Sequence, residues 1–460
     1  MEGRAERAAV RTSGPIPTWG PVPASGPVPA SGPVPARLLP LGAGISPLGR
    51  LEVAGVDLVD LAERFGTPLF VYDEDHLRTK CRQARAAWGD GVAYATKAFL
   101  CRAMARLADE EGMFLDVSTG GELHVALAAG VPPERLILHG NNKSDDELLR
   151  ALRAGVGRIV VDSFDEIERL RTLTTGGVGG GNGAARARVS VRVTPGVEAH
   201  THEFIRTGQE DSKFGFGLHS GAAAEAVRRL RTLTGVDVIG VHAHIGSQVF
   251  RVESFADEVE VLAPFFRELD LPELCVGGGL GVPYVVDEVA PSMEEWAAVV
   301  HDACRRAGIA ADTRITAEPG RAIVATAGLT LYRVGTIKVL PGVRTYAAVD
   351  GGMSDNPRPV LYGSGYEAFL PARVEARRDL AVRVVGKHCE SGDVVVSDAQ
   401  LPADLSVGDV LATPVTGAYG YAMASNYNKV PRPAIVFVAD GNARIVVRRE
   451  SEEDLLRRDA

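Results

Sequence analysis

Cysteine is scarce. Cys81, Cys101, Cys275, Cys304 and Cys389 are the only five in 460 residues, with no CxxC pair and no zinc-site spacing. An odd, scattered set excludes a disulfide scaffold and fits reduced thiols in the cytosol. No apolar run approaches the roughly 20 residues that a membrane helix needs, and the charged N-terminus lacks the apolar core of a secretory signal. No membrane partner is expected, and a cytoplasmic location follows. Positive charge is not in excess either. The formal net charge of −9 argues against a nucleic-acid partner, while leaving room for a local basic pocket. What is present is an ordinary globular composition, 45% hydrophobic and 24% charged, in a chain long enough for two sizeable cores.

The first 48 residues differ from the rest. A Gly-Pro-Val-Pro-Ala-Ser hexad recurs from Gly20, Gly26 and Gly32, the last with Arg37 in place of serine, with a looser copy at Gly14. Alternating prolines fix φ and remove backbone donors, so residues 1–48 are expected to form an extended or disordered tail. Ordered structure is expected from about Leu51. Between residues 73 and 327, short strand-like and helix-like segments alternate. Eight strands are expected at 91–96, 114–117, 136–138, 159–161, 189–193, 238–244, 274–276 and 314–317. That alternation implies an α/β fold, a (β/α)8 barrel. The glycine-rich stretch at 176–183 interrupts it as a surface loop. From residue 328 to 460 the chain is strand-rich and punctuated by Gly, Pro and Asp, which implies a C-terminal all-β domain. The early strand at 69–72, within segment 49–72, is expected to join that domain.

The unusual residues follow the barrel strands, where such folds carry their chemistry. Lys97 ends the first, after Val92-Ala93-Tyr94-Ala95-Thr96. Apolar neighbours would desolvate it, lower its pKa and favour a Schiff base. His242 and His244 alternate onto one face. With no third ligand nearby in sequence, no metal is expected there. Gly277, Gly278 and Gly279 follow another strand and could bring backbone N–H groups against a phosphate, although a tight turn has the same signature. Glu318-Pro319-Gly320-Arg321 joins a carboxylate and a guanidinium at the last strand end. In the second domain, Cys389 sits among His388, Glu390 and Asp393, unusual company for a core cysteine.

Together these segments resemble one family, the fold-type III pyridoxal-phosphate (PLP) decarboxylases, and within it the diaminopimelate decarboxylases. The likeness runs from about Leu51 to Val438. It rests on motifs in a fixed order: YATKA at 94–98, DVSTGGEL at 116–123, HTHEFIRTG at 200–208, KFGF at 213–216, HAHIGSQ at 242–248 and GGGLG at 277–281. EPGR at 318–321, NPRPVLYG at 356–363, CESGD at 389–393 and GAYGYAMASNYN at 417–428 complete the series. One departure is Ala322, where many relatives have serine; it removes no catalytic group.

The resemblance implies an alanine-racemase-like barrel with its β domain, and pyridoxal 5'-phosphate as cofactor. It implies that Lys97 carries the cofactor and that His244 stacks on its ring. Ser247, Gly277, Gly278, Gly279, Gly320 and Tyr419 would hold the phosphate beside Arg321, and Glu318 would face the ring nitrogen. Arg321, Arg358, Tyr362, Glu390 and Tyr419 would bind the substrate. Cys389 would return a proton after loss of CO2, and Asp116 and Arg192 would make supporting contacts. In this family the Cys389 segment crosses a homodimer interface, so each active site is shared. Two arginines suit a distal carboxylate, and Glu390 suits a distal ammonium. The implied reaction is conversion of meso-2,6-diaminopimelate to L-lysine and CO2. The alternatives are a related decarboxylase acting on another amino acid, a racemase, which would lack the Cys389-Glu390 segment, and a non-catalytic relative, which would lack Lys97 or Cys389.

Overall fold

The computed structural model describes residues 33–175, 186–197 and 212–460. Residues 14–32 of the hexad region, the 176–183 insert and the 200–208 motif lie outside the described residues.

Eight short parallel strands form the first unit: Ala93–Ala95, Phe114–Val117, Leu136–Leu138, Arg158–Val161, Ala187–Thr194, Val236–Ala243, Glu273–Cys275 and Arg314–Thr316. They pair in chain order. The ring is closed by hydrogen bonds from Ala93 N–H to the Ala317 carbonyl at 3.0 Å and from Ala95 N–H to the Pro319 carbonyl at 3.2 Å. Such strands are covered on both faces, so Leu136–Leu138 and Arg158–Val161 are buried at every position. The intervening helices have sharp ends. Asp145–Ala154 starts at a Ser144/Glu147 capping box and stops at Gly155, whose φ of 77° favours glycine. All eight expected strands are present, within two residues of their expected bounds. The first is shorter than expected: Thr96–Ala98 is a 3-10 turn, so Lys97 lies beyond the strand rather than at its end.

The second unit is an eight-stranded sheet. Its long strand Gly328–Leu340 pairs antiparallel with Leu69–Asp73, which also pairs in parallel with Ala434–Ala439. The early strand therefore sits inside the C-terminal sheet. The stretch before residue 48 also departs from expectation. Residues 36–38 form a 3-10 turn, Ala43–Ile45 pairs with Leu51–Val53, and Leu38 is fully buried. Val34, inside the last hexad, and Leu38, just after it, supply this burial.

The two units meet beside Lys97. Phe99 stacks on Tyr72 of the early strand, with ring centroids 4.4 Å apart. Tyr419 N–H donates to the Ala98 carbonyl at 2.8 Å. An aromatic pair of this kind adds about 0.5–1.5 kcal/mol beyond its buried area, which pins the lysine turn against the sheet domain.

Candidate active site

A cavity of about 460 Å³ opens at the C-terminal ends of the barrel strands, and Lys97, Asp116, His139, Arg192, Glu318 and Tyr419 all line it. The turn carrying Lys97 is braced from both sides. Tyr94 Oη–H donates to the Phe99 carbonyl at 2.6 Å, and Thr96 Oγ1–H donates to the Asp116 carbonyl at 2.8 Å. Thr96 and Ala98 take the burial, while Lys97 is exposed to the open cavity. The desolvated lysine expected from the sequence is therefore not found, because the 3-10 turn directs that one side chain outwards.

Glu318 lines the same cavity and is only 6% exposed. His139 Nε2–H donates to its Oε1 and His242 Nε2–H to its Oε2, both at 2.9 Å. Burial alone would raise the Glu318 pKa, but these two imidazoles hold it well below the usual carboxylate range. His139 is itself raised: burial opposes its charge, and Asp116 and Glu318 outweigh that. Its Nε2 lies 3.7 Å from Asp116 Oδ1. Burial pushes Asp116 up to about 6 and His242 down to about 4. The donor atoms of His139, His242 and Glu318 lie within 4.8 Å of one another. Each Nε2 is already committed to the carboxylate, so the chemistry of the group is that of a hydrogen-bonded array.

His244 lies just past its strand. Gly278 N–H donates to its Nδ1 at 3.2 Å. Burial and then the Lys97 charge push its pKa well down, so the ring is neutral. A Cβ on Gly278 would stand 2.2 Å from the Glu318 carbonyl oxygen, and one on Gly279 2.2 Å from that of Gly246. Only glycine lets this loop lie so close to two strand ends. Gly278, Gly279, Gly320 and Ser247 line the cavity. Gly277 packs behind them, where a Cβ would meet His244 Nδ1 at 2.8 Å.

A second cavity, of about 440 Å³, shares Lys97, Ser247, Arg321 and Tyr419 with the first, and Tyr284, Arg358 and Tyr362 extend it. Arg321 donates from Nη1 to Tyr284 Oη at 2.6 Å and from Nη2 to Ser247 Oγ at 2.9 Å. Arg358 donates to Tyr366 Oη at 2.6 Å and lies 4.1 Å from the centroid of the Tyr284 ring. Two buried guanidiniums thus flank one tyrosine.

Cys389 and Glu390 line neither cavity of their own chain. Both are exposed, on the loop between strands Leu380–Val385 and Val394–Leu401. The loop is nonetheless braced. Asp393 accepts the His388 N–H at 2.8 Å and the Met353 N–H at 2.6 Å.

Two features escaped the sequence reading. Tyr284 and Tyr366 organise the arginines but stand in no motif. His139 follows the buried strand Leu136–Leu138 and precedes Gly140. That strand-end position is the same signal that drew attention to Lys97 and Glu318.

Comparison with known proteins agrees with this geometry. Residues 74–325 match the family model of the pyridoxal-dependent decarboxylases, over its pyridoxal binding domain. The chain is 47% identical to diaminopimelate decarboxylase of Mycobacterium tuberculosis, covering 89% of this chain and 94% of that one. It is 46% identical to the Bacillus subtilis enzyme of the same name, covering 89% and 95%. A crystal structure of diaminopimelate decarboxylase from M. jannaschii in complex with L-lysine superposes with a TM-score of 0.84 at 32% identity, covering 91% and 98% of the two chains. No described helix is long and apolar enough to cross a membrane.

Proposed function

The chain belongs to the pyridoxal-dependent decarboxylases, and on that premise we propose that it converts meso-2,6-diaminopimelate to L-lysine and CO2, with pyridoxal 5'-phosphate as cofactor, in the cytoplasm. The residues of the first cavity fit that cofactor. Asp116 Oδ1 is buried with no hydrogen-bond partner, Glu318 is an ionised carboxylate on the wall, and the glycine loop leaves its backbone bare. Lys97 would hold the cofactor through Nζ, with the neutral His244 ring against it. Ser247, the loop at Gly277, Gly278 and Gly279, and Gly320 would hold the phosphate, with Arg321 and Tyr419 beside them. Glu318 would pair with the ring nitrogen.

When bound, the cofactor supplies an electron sink for the pair left behind by departing CO2. The remaining work falls to the chain. Arg321 and Arg358 hold the distal carboxylate, because a planar guanidinium pairs with it bidentately. Tyr362 and Glu390 receive the distal ammonium. The Cys389 thiol gives its proton to the α carbon from which CO2 has left. Cys389 and Glu390 reach this position from a second copy, so the working enzyme is a homodimer with shared sites. Asp116 and Arg192 support the wall near Lys97.

The observation that carries the substrate assignment is the pair of buried arginines around Tyr284, in a cavity that opens onto Lys97. Its test is CO2 and lysine release from meso-diaminopimelate by purified, PLP-loaded protein, with ornithine and arginine as controls. Turnover of diaminopimelate alone is expected. Absence of lysine from loaded protein would overturn the substrate.

A further inference from the structure

Asp116, His139 and Glu318, three charged or chargeable side chains, crowd the lining of the first cavity, and the roles proposed above leave one of them, His139, without a task. Asp116 and Glu318 are both buried acids, at 4% and 6% exposure. Two carboxylates in one dry site cannot both stay ionised without a counter-charge. His139 stands between them, with Nε2 2.9 Å from Glu318 Oε1 and 3.7 Å from Asp116 Oδ1. The groups facing its ring are Asp116, Glu318, His242 and Arg192; Arg192 acts on Glu318 and Asp116 through space, as Lys97 does on Asp116, and His139 is the direct partner of Glu318 Oε1. His242 is engaged on Oε2, and Arg192 pairs with Asp162 at 3.3 Å.

We propose that His139 is a positioning residue that gives the negative charge to Glu318 rather than to Asp116 and locks the Glu318 carboxylate against rotation through Oε1, the oxygen that His242 does not hold. The bond is directional, so the carboxylate presents a fixed edge to the cavity. Loss of His139 removes one charge-assisted donor and sets the two acids against each other. One of them then takes up a proton, and Glu318 becomes free to be that one.

The inference rests on the first cavity being the PLP site, and the experiment separates the two. PLP affinity of the apoprotein, the absorption spectrum of the loaded protein and its pH dependence are compared in wild type, His139→Leu and His139→Asn. Circular dichroism checks the fold. Expected are about a tenfold loss of PLP affinity in His139→Leu, a spectrum that titrates where that of the wild type is flat, and partial rescue in His139→Asn, which keeps an N–H. Asp116→Asn placed on His139→Leu is expected to restore the wild-type spectrum, because it removes the competing acid. A packing role alone would not produce that rescue. Should His139→Leu fail to fold, His139→Asn with and without Asp116→Asn carries the same comparison. If wild type binds no PLP, the reading of the cavity fails. If wild type binds PLP and the variants match it in affinity and spectrum, the role of His139 falls and the cavity reading stands.

Discussion

The wall around Glu318 and the loop around Cys389 are built on opposite plans. The first is buried, and both Glu318 oxygens are satisfied by side chains from other barrel strands. His139 follows the third strand, His242 lies in the sixth and Glu318 follows the eighth. The second is exposed and is braced mainly from beneath, by Asp393 accepting backbone N–H groups. Low dielectric makes each charge on the first wall consequential, so it must be complete within one chain. The loop can hold its thiol in place and still face outwards, which suits a group that works in another chain's cavity. On the proposed reading, the difference is between two kinds of organisation in one site, one built by burial and the other by docking.

The sharpest way to break this contrast is to remove one member from each side. Lys97→Ala is expected to abolish attachment of the cofactor and to lower turnover at least about a thousandfold, measured by loss of the bound-cofactor absorbance and by lysine release. Cys389→Ala is expected to be comparably slow in turnover yet to load PLP normally. Mixing the two inactive variants tests sharing. Random reassortment into dimers should return about a quarter of wild-type sites, whereas a site built within one chain would return none.

Glu318→Gln addresses the buried side alone. It removes the charge that Glu318 contributes and should cost about 100-fold in kcat with the fold retained, read from steady-state kinetics. Arg358→Lys is expected to be milder. It keeps the charge but loses the planar fork, raising KM for diaminopimelate about tenfold with a smaller change in kcat.

The smallest effect is on stability. Asp116 has its pKa raised by burial from 3.8 to about 6, so the folded apoprotein binds that proton more tightly than the unfolded chain. Its contribution is complete at low pH, below the unfolded value, and is lost as the pH rises through about 6. Asp116→Asn removes that loss. Relative to wild type, the variant should gain about 1–3 kcal/mol between pH ~4 and pH ~7, seen as a Tm difference that widens with pH. A constant difference would mean that Asp116 is not protonated in this range.

Much of the candidate site is legible in the sequence, and the reason is local. Lys97, Gly278, Gly279, Glu318 and Arg321 each follow an apolar strand, and polar or glycine residues in that position are conspicuous. His139 has the same position but sits in no eye-catching cluster. Tyr284 and Tyr366 were not legible, because aromatic residues in loops carry no periodic signal and their partners, Arg321 and Arg358, lie 37 and 8 residues away.

By itself the sequence determined the alternation of strands and helices, the change to a strand-rich second half and the identities of the reactive groups. These follow from hydrophobic period and residue chemistry, which are properties of neighbours along the chain. Only the tertiary structure decided which groups face one another. It set Glu318 between His139 and His242, turned Lys97 outwards on a 3-10 turn and left Cys389 outside its own cavity. Those outcomes depend on how distant strand ends converge and on which polar groups find partners once water is excluded, and no local pattern records that.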